Sequence, residues 1–179
     1  PTDMKNISKP IVGYIGAIAS WIDYKLINYL SSSNKFNIVF VGPVLDTNLP
    51  IIRNKNVSFL GKKSYDVLPG YLRLFDVCII PFIKSKITKA CNPVKMYEYL
   101  SGGKPVVATD IQECRNGVVR CCKSYEEFYR SILLYIDKSH NDINIKDRIK
   151  FAQENSWESR VKYIRKLIEP TLKEYSESL

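Results

Sequence analysis

The hydrophobic residues of this chain form six short apolar runs, separated by stretches with helical spacing. Ile and Val occupy successive positions in the runs, so both faces of each strand are apolar, as in parallel strands covered by helices on both sides. Right-handed crossovers then give a doubly wound, Rossmann-like sheet. The pattern predicts strands at Ile11–Ile15, Phe36–Val41, Val57–Leu60, Val77–Pro81, Val106–Thr109 and Val118–Cys121.

Helix signals complete the pattern. Ser124 and Glu127 have the spacing of a capping box, which predicts a helix from Ser124 to about Lys138. Pro69 and Pro93 each suit the first turn of a helix. The predicted fold is a three-layer α/β/α domain with a six-stranded parallel sheet and C-terminal helices. The two C-terminal helices are predicted at Asn144 to Asn155 and at Ser156 to about Tyr175.

Length and composition predict one globular domain over residues 1–179, because 179 residues fit around a single hydrophobic core. The apolar runs are much shorter than the roughly 20 residues needed to cross a bilayer. The chain opens with Pro1, which suggests that part of the protein precedes it. Its five cysteines lack zinc-type spacing and indicate free thiols, so we expect a cytoplasmic location.

The net charge of +9 indicates an anionic partner, which leaves nucleic acid, acidic lipid and phosphorylated substrates as classes. The basic residues are dispersed and no nucleic-acid-binding signature occurs, so we do not expect nucleic acid. The single histidine, His140, lies in a polar stretch and is expected at the surface. No metal site is predicted.

Two strand-to-helix turns are candidate ligand sites, because open α/β sheets bind ligands beyond the carboxyl ends of their strands. At Gly16 the backbone could approach a ligand closely, although a Gly pair here is equally typical of a plain tight turn. The helix opened by Asn92 and Pro93 offers free amides to an anion. Lys95 could add a charge and Glu98 could accept hydrogen bonds from a ribose, although an exposed ion pair between them is the alternative.

Three segments carry a resemblance to a known family: Gly13-Tyr-Ile-Gly16-Ala-Ile, Val57-Ser-Phe-Leu-Gly61, and above all Asn92-Pro-Val-Lys-Met-Tyr-Glu98-Tyr-Leu-Ser-Gly-Gly-Lys-Pro-Val-Val107. The chain resembles the C-terminal, donor-binding domain of GT-B glycosyltransferases. It is most similar to the retaining bacterial polysaccharide and teichuronic-acid-type group. The resemblance spans almost the whole chain.

This resemblance implies a nucleotide-diphospho-sugar donor, UDP- or GDP-linked, and no cofactor. By the same resemblance Gly16 lines the phosphates, Lys62 to Tyr65 pass near the base, and Glu98 holds the ribose hydroxyls. The usual glutamate eight residues earlier is replaced by Ala90, so Asn92 or Thr88 is the alternative contact to the sugar. The cradle for diphosphate and sugar would consist of Pro93, Val94, Lys95, Met96 and Tyr97.

The resemblance further implies that an N-terminal domain supplies the acceptor site and that this chain alone is inactive or nearly so. No protein nucleophile is implied, so no catalytic residue is assigned. Trp157, Tyr163 and Leu167 resemble a final helix that packs on the other domain, although an amphipathic core helix fits them equally well. Peripheral contact with an anionic membrane is also expected. The alternative function is a non-catalytic nucleotide- or nucleic-acid-binding module.

Overall fold

The structure is a computed structural model that describes residues 1–46, 54–137 and 144–177, with side chains described as far as residue 170. Lys138, where the helix after Ser124 was expected to end, and His140 lie outside the described residues.

Six parallel strands form one sheet in the order β3-β2-β1-β4-β5-β6. β1 therefore lies between β2 and β4, and the chain reverses its direction of travel across the sheet at this point. Ligands of doubly wound sheets bind beyond the carboxyl ends of the strands at such a switch point. The strands are β1 (Ile11–Ile15), β2 (Asn37–Val41), β3 (Val57–Phe59), β4 (Val77–Ile80), β5 (Val106–Thr109) and β6 (Arg120–Cys122).

Helices connect the strands and close the C-terminal part of the chain. No helix among the described residues is long and apolar enough to span a membrane. The helices are α1 (Tyr24–Ser31), α2 (Leu68–Leu74), α3 (Lys86–Lys89), α4 (Val94–Ser101), α5 (Tyr125–Asp137), α6 (Ile145–Glu154) and α7 (Trp157–Glu177).

The predicted three-layer α/β/α fold is confirmed. Every residue of β1 and β4 is buried, because helices cover both faces of the central strands. Five of the six predicted strands lie within one residue of the observed bounds at each end. The sixth begins two residues later than expected because the Val118 and Val119 amides both donate to Asn116 Oδ1, at 3.1 Å each. This side-chain turn keeps them out of the strand ladder.

Two helix starts differ from expectation. Ser124 accepts the Glu127 amide at 3.1 Å, as a capping box requires, but Glu127 accepts the Lys123 amide at 2.9 Å, so the second half of the box shifts by one residue. Pro93 is the N-cap of α4 and not a residue of its first turn, since its ψ of 100° is extended. The helix begins at Val94.

Candidate functional site

Three glycines lie side by side beyond the carboxyl ends of β1, β2 and β3. The Gly16 amide donates to Val41 O at 2.8 Å, and the Gly42 amide donates to Gly61 O at 2.9 Å. A Cβ atom added to Gly42 would lie 2.0 Å from Gly16 O. Only glycine allows the chains to approach this closely, so the glycines form a shelf of bare backbone beside the switch point.

The start of α4 faces this shelf. No side chain of the described residues caps the helix, and the first turn contains no acidic residue. The Met96 amide donates to Pro93 O at 2.9 Å, whereas the Val94 and Lys95 amides donate to no backbone oxygen of the described residues. Val94 is exposed. The N-terminal end of α4 therefore offers uncapped amides and the positive end of the helix dipole, which together favour binding of an anion.

Lys95 brings a positive charge to the same place. Its ammonium lies 4.9 Å from the ring centre of Tyr14 and 4.8 Å from that of Phe82. A Cβ atom on Gly16 would lie 2.8 Å from Lys95 Cε, so the lysine packs directly against the glycine shelf. Burial lowers the pKa of Lys95, although Cys91 and Glu98 act in the opposite direction. No hydrogen bond or ion pair satisfies the ammonium within the described ranges, which leaves it ready to receive an anion.

Tyr99 fixes α4 against the end of β1. Its buried hydroxyl accepts the Ile15 amide at 2.7 Å and donates to Ile15 O at 3.1 Å. Burial raises the pKa of this hydroxyl, which keeps it protonated and able to donate. The two hydrogen bonds join residues 84 positions apart in the sequence and set the distance between the helix start and Gly16.

A groove of about 440 Å³ runs between α2 and α4, a size that suits a small-molecule ligand. Glu98 lies on its wall, and the Tyr65 hydroxyl donates to Glu98 Oε1 at 3.4 Å. Gly16 and Lys95 do not line the groove. The site thus has two adjoining parts, an anion-binding end at the start of α4 and a groove on the side of α4 that carries Glu98.

The sequence model of the family described as "Glycosyl transferases group 1" matches residues 9–138. The chain belongs to this family. It is also 30% identical over 106 residues to the Bacillus subtilis (strain 168) protein TuaH, whose name refers to a glycosyltransferase of teichuronic acid biosynthesis. That match covers 56% of the chain and 27% of TuaH, so the chain spans about a quarter of its curated relative.

Solved glycosyltransferases share the fold of this domain. Anabaena Alr3699/HepE, solved in complex with UDP-glucose, superposes with a TM-score of 0.65 at 16% identity, over 97% of this chain and 50% of that one. GlyE of Streptococcus pneumoniae TIGR4 superposes with a TM-score of 0.51 at 20% identity, over 74% of this chain and 34% of that one. The fold is that of one half of a GT-B glycosyltransferase.

The remaining predicted site residues of the glycosyltransferase domain separate into two groups. Lys62, Tyr65 and Asn92 are exposed at the surface. Met96 is buried, and its sulfur accepts a hydrogen bond from Asn116 Nδ2 at 3.2 Å. Only the backbone of Met96 could therefore contact a nucleotide-sugar ligand. Tyr97 is turned toward α6, where its ring stacks on Phe151 with centres 6.1 Å apart. The side chains of Met96 and Tyr97 therefore do not form part of the predicted cradle.

Of the two alternatives for the sugar contact, Thr88 is already engaged. It is buried, its hydroxyl donates to Ile83 O at 2.5 Å, and it accepts the Ser85 amide at 2.8 Å. These hydrogen bonds hold the single turn of α3. Asn92 is exposed with no partner among the residues described, so it is the better candidate.

Sequence reasoning missed the residues that support the site, namely Gly42, Tyr14, Phe82 and Tyr99. Gly42 precedes Pro43 directly after a buried strand, a signal that could have indicated a third glycine turn. The three aromatic residues carry no such signal, because their role depends on which strands and helices meet. Among the described residues no group of three or more acidic, histidine or cysteine side chains could hold a metal ion.

Proposed function

We propose that this chain is the donor-binding half of a glycosyltransferase, and that it holds a nucleoside diphosphate sugar at the start of α4. One observation carries the proposal. Uncapped amides, the Lys95 ammonium and the glycine shelf converge at the switch point of the sheet, where ligands of this fold class bind.

The two parts of the site suit the two parts of such a donor. The diphosphate would lie against the Val94 and Lys95 amides and the Lys95 ammonium, because each favours negative charge. The nucleoside would enter the groove that Glu98 lines. There the Glu98 carboxylate would accept hydrogen bonds from the ribose hydroxyls, which would replace the hydrogen bond from the Tyr65 hydroxyl. Lys62 and the neighbouring loop would approach the base, and Asn92 the sugar.

The relatives indicate which donor and product to test first. HepE was solved with UDP-glucose, so UDP is the first nucleotide to try. The name of TuaH supports a role in cell-surface polysaccharide synthesis. We include in the proposal retention of configuration, with no protein nucleophile. Departure of the diphosphate would be assisted by the helix dipole and Lys95, as in electrostatic stabilisation of developing charge.

Calorimetry tests the proposal with Glu98→Gln as its variant. We expect the parent to bind UDP and the variant to bind it about 10- to 100-fold more weakly, because hydrogen bonds to a charged acceptor contribute about 1.5–3 kcal/mol. Glu113→Gln removes the same charge from an exposed position and is the matched control. Absence of heat with UDP, GDP and ADP alike would contradict the proposal, and equal affinity of Glu98→Gln and parent would remove the role of Glu98.

The exposed face of α7 supports a second domain as partner. Trp157, Val161, Ile164 and Ile168 recur at intervals of three and four residues and are all exposed, so this part of α7 is not a core helix. Arg160 lies over the Tyr97 ring at 5.1 Å and holds the start of α7 beside α4. We propose that this face packs on the acceptor domain. Because the acceptor molecule would bind to that second domain, this chain alone would transfer sugar slowly or not at all.

Replacement of Ile164 and Ile168 by serine tests this docking. In a protein that contains both domains, we expect the pair to lower the unfolding free energy by about 3 kcal/mol or more, since each buried isoleucine contributes about 1.5–3 kcal/mol. Differential scanning calorimetry measures the change, and UDP affinity should stay the same. Lys162→Ser with Lys166→Ser, on the opposite face, is the control.

Unchanged stability of the isoleucine variant would contradict domain docking. If that variant instead loses binding to anionic lipid vesicles, the face contacts a membrane. The expected peripheral contact with an anionic membrane otherwise stays a prediction supported by the net charge of +9.

A further inference from the structure

The segment before β1 contacts the loop that follows β3. This segment contains Asp3 in a single helical turn, Thr2–Met4. The Met4 side chain is buried in the core and fixes the turn in place. Lys63, in the loop of residues 61–64, places its ammonium 2.8 Å from Asp3 Oδ2. The Tyr71 hydroxyl of α2 donates to the same carboxylate at 2.9 Å. The segment before β1 thus meets two neighbouring elements much later in the sequence, the loop after β3 and α2, at one carboxylate.

The electrostatics of this cluster favour the ion pair. The hydrogen bond from Lys63 holds the pKa of Asp3 below its usual range, and the same bond raises the pKa of Lys63. The ammonium also lies 5.8 Å from the ring centre of Tyr71. The Lys63 side chain is 25% exposed and that of Asp3 is 31% exposed, so the pair lies at the surface and solvent partly screens it.

Little else holds the loop. Gly61 O accepts the Gly42 amide at 2.9 Å at the beginning of the loop, and Ser64 O accepts the Val67 amide at 3.3 Å at its end. Between these points Lys63 makes the side-chain contacts found among the described residues, and Lys62 is exposed. A loop with so few internal hydrogen bonds samples several conformations unless a contact from outside selects one.

We propose that Asp3 is a positioning residue for the donor site: through Lys63 it holds the loop of residues 61–64 in the conformation that receives the base of the nucleotide. This inference rests on the proposed function, in which Lys62 to Tyr65 approach the base. Tyr65 follows the loop directly and its hydroxyl contacts Glu98, so a shift of the loop also reaches the ribose site.

The test combines amide hydrogen exchange with nucleotide binding for Asp3→Asn and Lys63→Met. We expect amides of residues 61–64 to exchange faster in both variants without nucleotide. We also expect UDP affinity to fall about 5- to 10-fold, because only the fraction of molecules with a competent loop binds. Inorganic pyrophosphate, which lacks a base, should displace a bound fluorescent nucleoside diphosphate from the start of α4 with unchanged affinity.

One variant serves as the matched control. Asp66→Asn removes the same charge from an exposed neighbouring position and should leave both readouts unchanged. Unchanged exchange in residues 61–64, or equal UDP affinity of Asp3→Asn and Asp66→Asn, would overturn the inference. So would an equal loss of UDP and pyrophosphate binding, since that result indicates general damage. A parent that binds none of UDP, GDP and ADP refutes the proposed function and this role with it, whereas faster exchange would still demonstrate the contact.

Discussion

Lys95→Met should weaken UDP binding about 10- to 100-fold, the equivalent of about 1.5–3 kcal/mol for a charge-assisted hydrogen bond to phosphate. The same change should leave the unfolding free energy unchanged or raise it. Lysine at this position is half-buried and its ammonium lacks a hydrogen-bonding partner within the described ranges, whereas methionine has a similar shape and carries no charge. Isothermal calorimetry and urea unfolding measure the two effects.

The pH dependence of both quantities gives Lys95 a second signature. Because burial lowers its pKa in the folded state, the unfolded chain binds more protons between the folded and unfolded pKa values. The contribution of Lys95 to the unfolding free energy should therefore rise with pH in that interval, while UDP affinity falls as the ammonium loses its proton. The difference in unfolding free energy between the parent and Lys95→Met isolates this contribution, because the buried thiols of Cys78 and Cys114, whose pKa values burial raises, act in the opposite direction in both proteins. The fall in UDP affinity should be absent in Lys95→Met. Lys89→Met, which removes an exposed charge of α3, should behave like the parent. Loss of stability without loss of UDP affinity would show that Lys95 is structural.

Gly42→Ala should destabilise the fold by about 2–6 kcal/mol, the sum of an overpacking cost of about 1–3 kcal/mol and a backbone cost of about 1–3 kcal/mol. Its φ is +153°, which side chains rarely adopt, and the new Cβ would lie 2.0 Å from Gly16 O and 2.6 Å from Gly16 C. The obstacle is the backbone of Gly16, which its hydrogen bond to Val41 O holds beside the end of β2, so it cannot rotate away as a side chain could. UDP affinity should fall as well, because Gly16 must move.

Urea unfolding of Gly42→Ala is best compared with Gly117→Ala. Gly117 also has a positive φ, +84°, but a Cβ atom there would meet nothing within 4 Å. Only the backbone cost remains, about 1–2 kcal/mol. Equal loss of unfolding free energy in the two variants would show that the close contact between Gly16 and Gly42 does not restrict the residue at position 42.

The strands were predictable because their evidence is local. A strand buried on both faces needs apolar residues at successive positions, and helices need their own spacing, so the pattern indicated six parallel strands and their order along the chain. The errors occurred where a single side chain decides a boundary. Asn116 delays β6, and the extended ψ of Pro93 makes it the N-cap of α4. Periodicity does not register such hydrogen bonds.

The candidate site was predictable in part for the same reason. The helix start at Asn92 to Glu98 follows a buried strand, and free amides at a helix start are a property of the backbone. Its first-turn side chains were harder to assign, because one turn of helix faces several directions. Met96 points into the core and Tyr97 toward α6, while Lys95 and Glu98 point to the two parts of the site.

The sequence by itself determined the doubly wound sheet and the helix start that an anion would meet, because both follow from spacing along the chain. Only the tertiary structure decided what holds that site: Gly42 against Gly16, Tyr14 and Phe82 around Lys95, and Tyr99 bonded to Ile15. These partners are brought together by the crossovers between strands. Their distances depend on how the layers pack in three dimensions, which no local pattern of residues encodes.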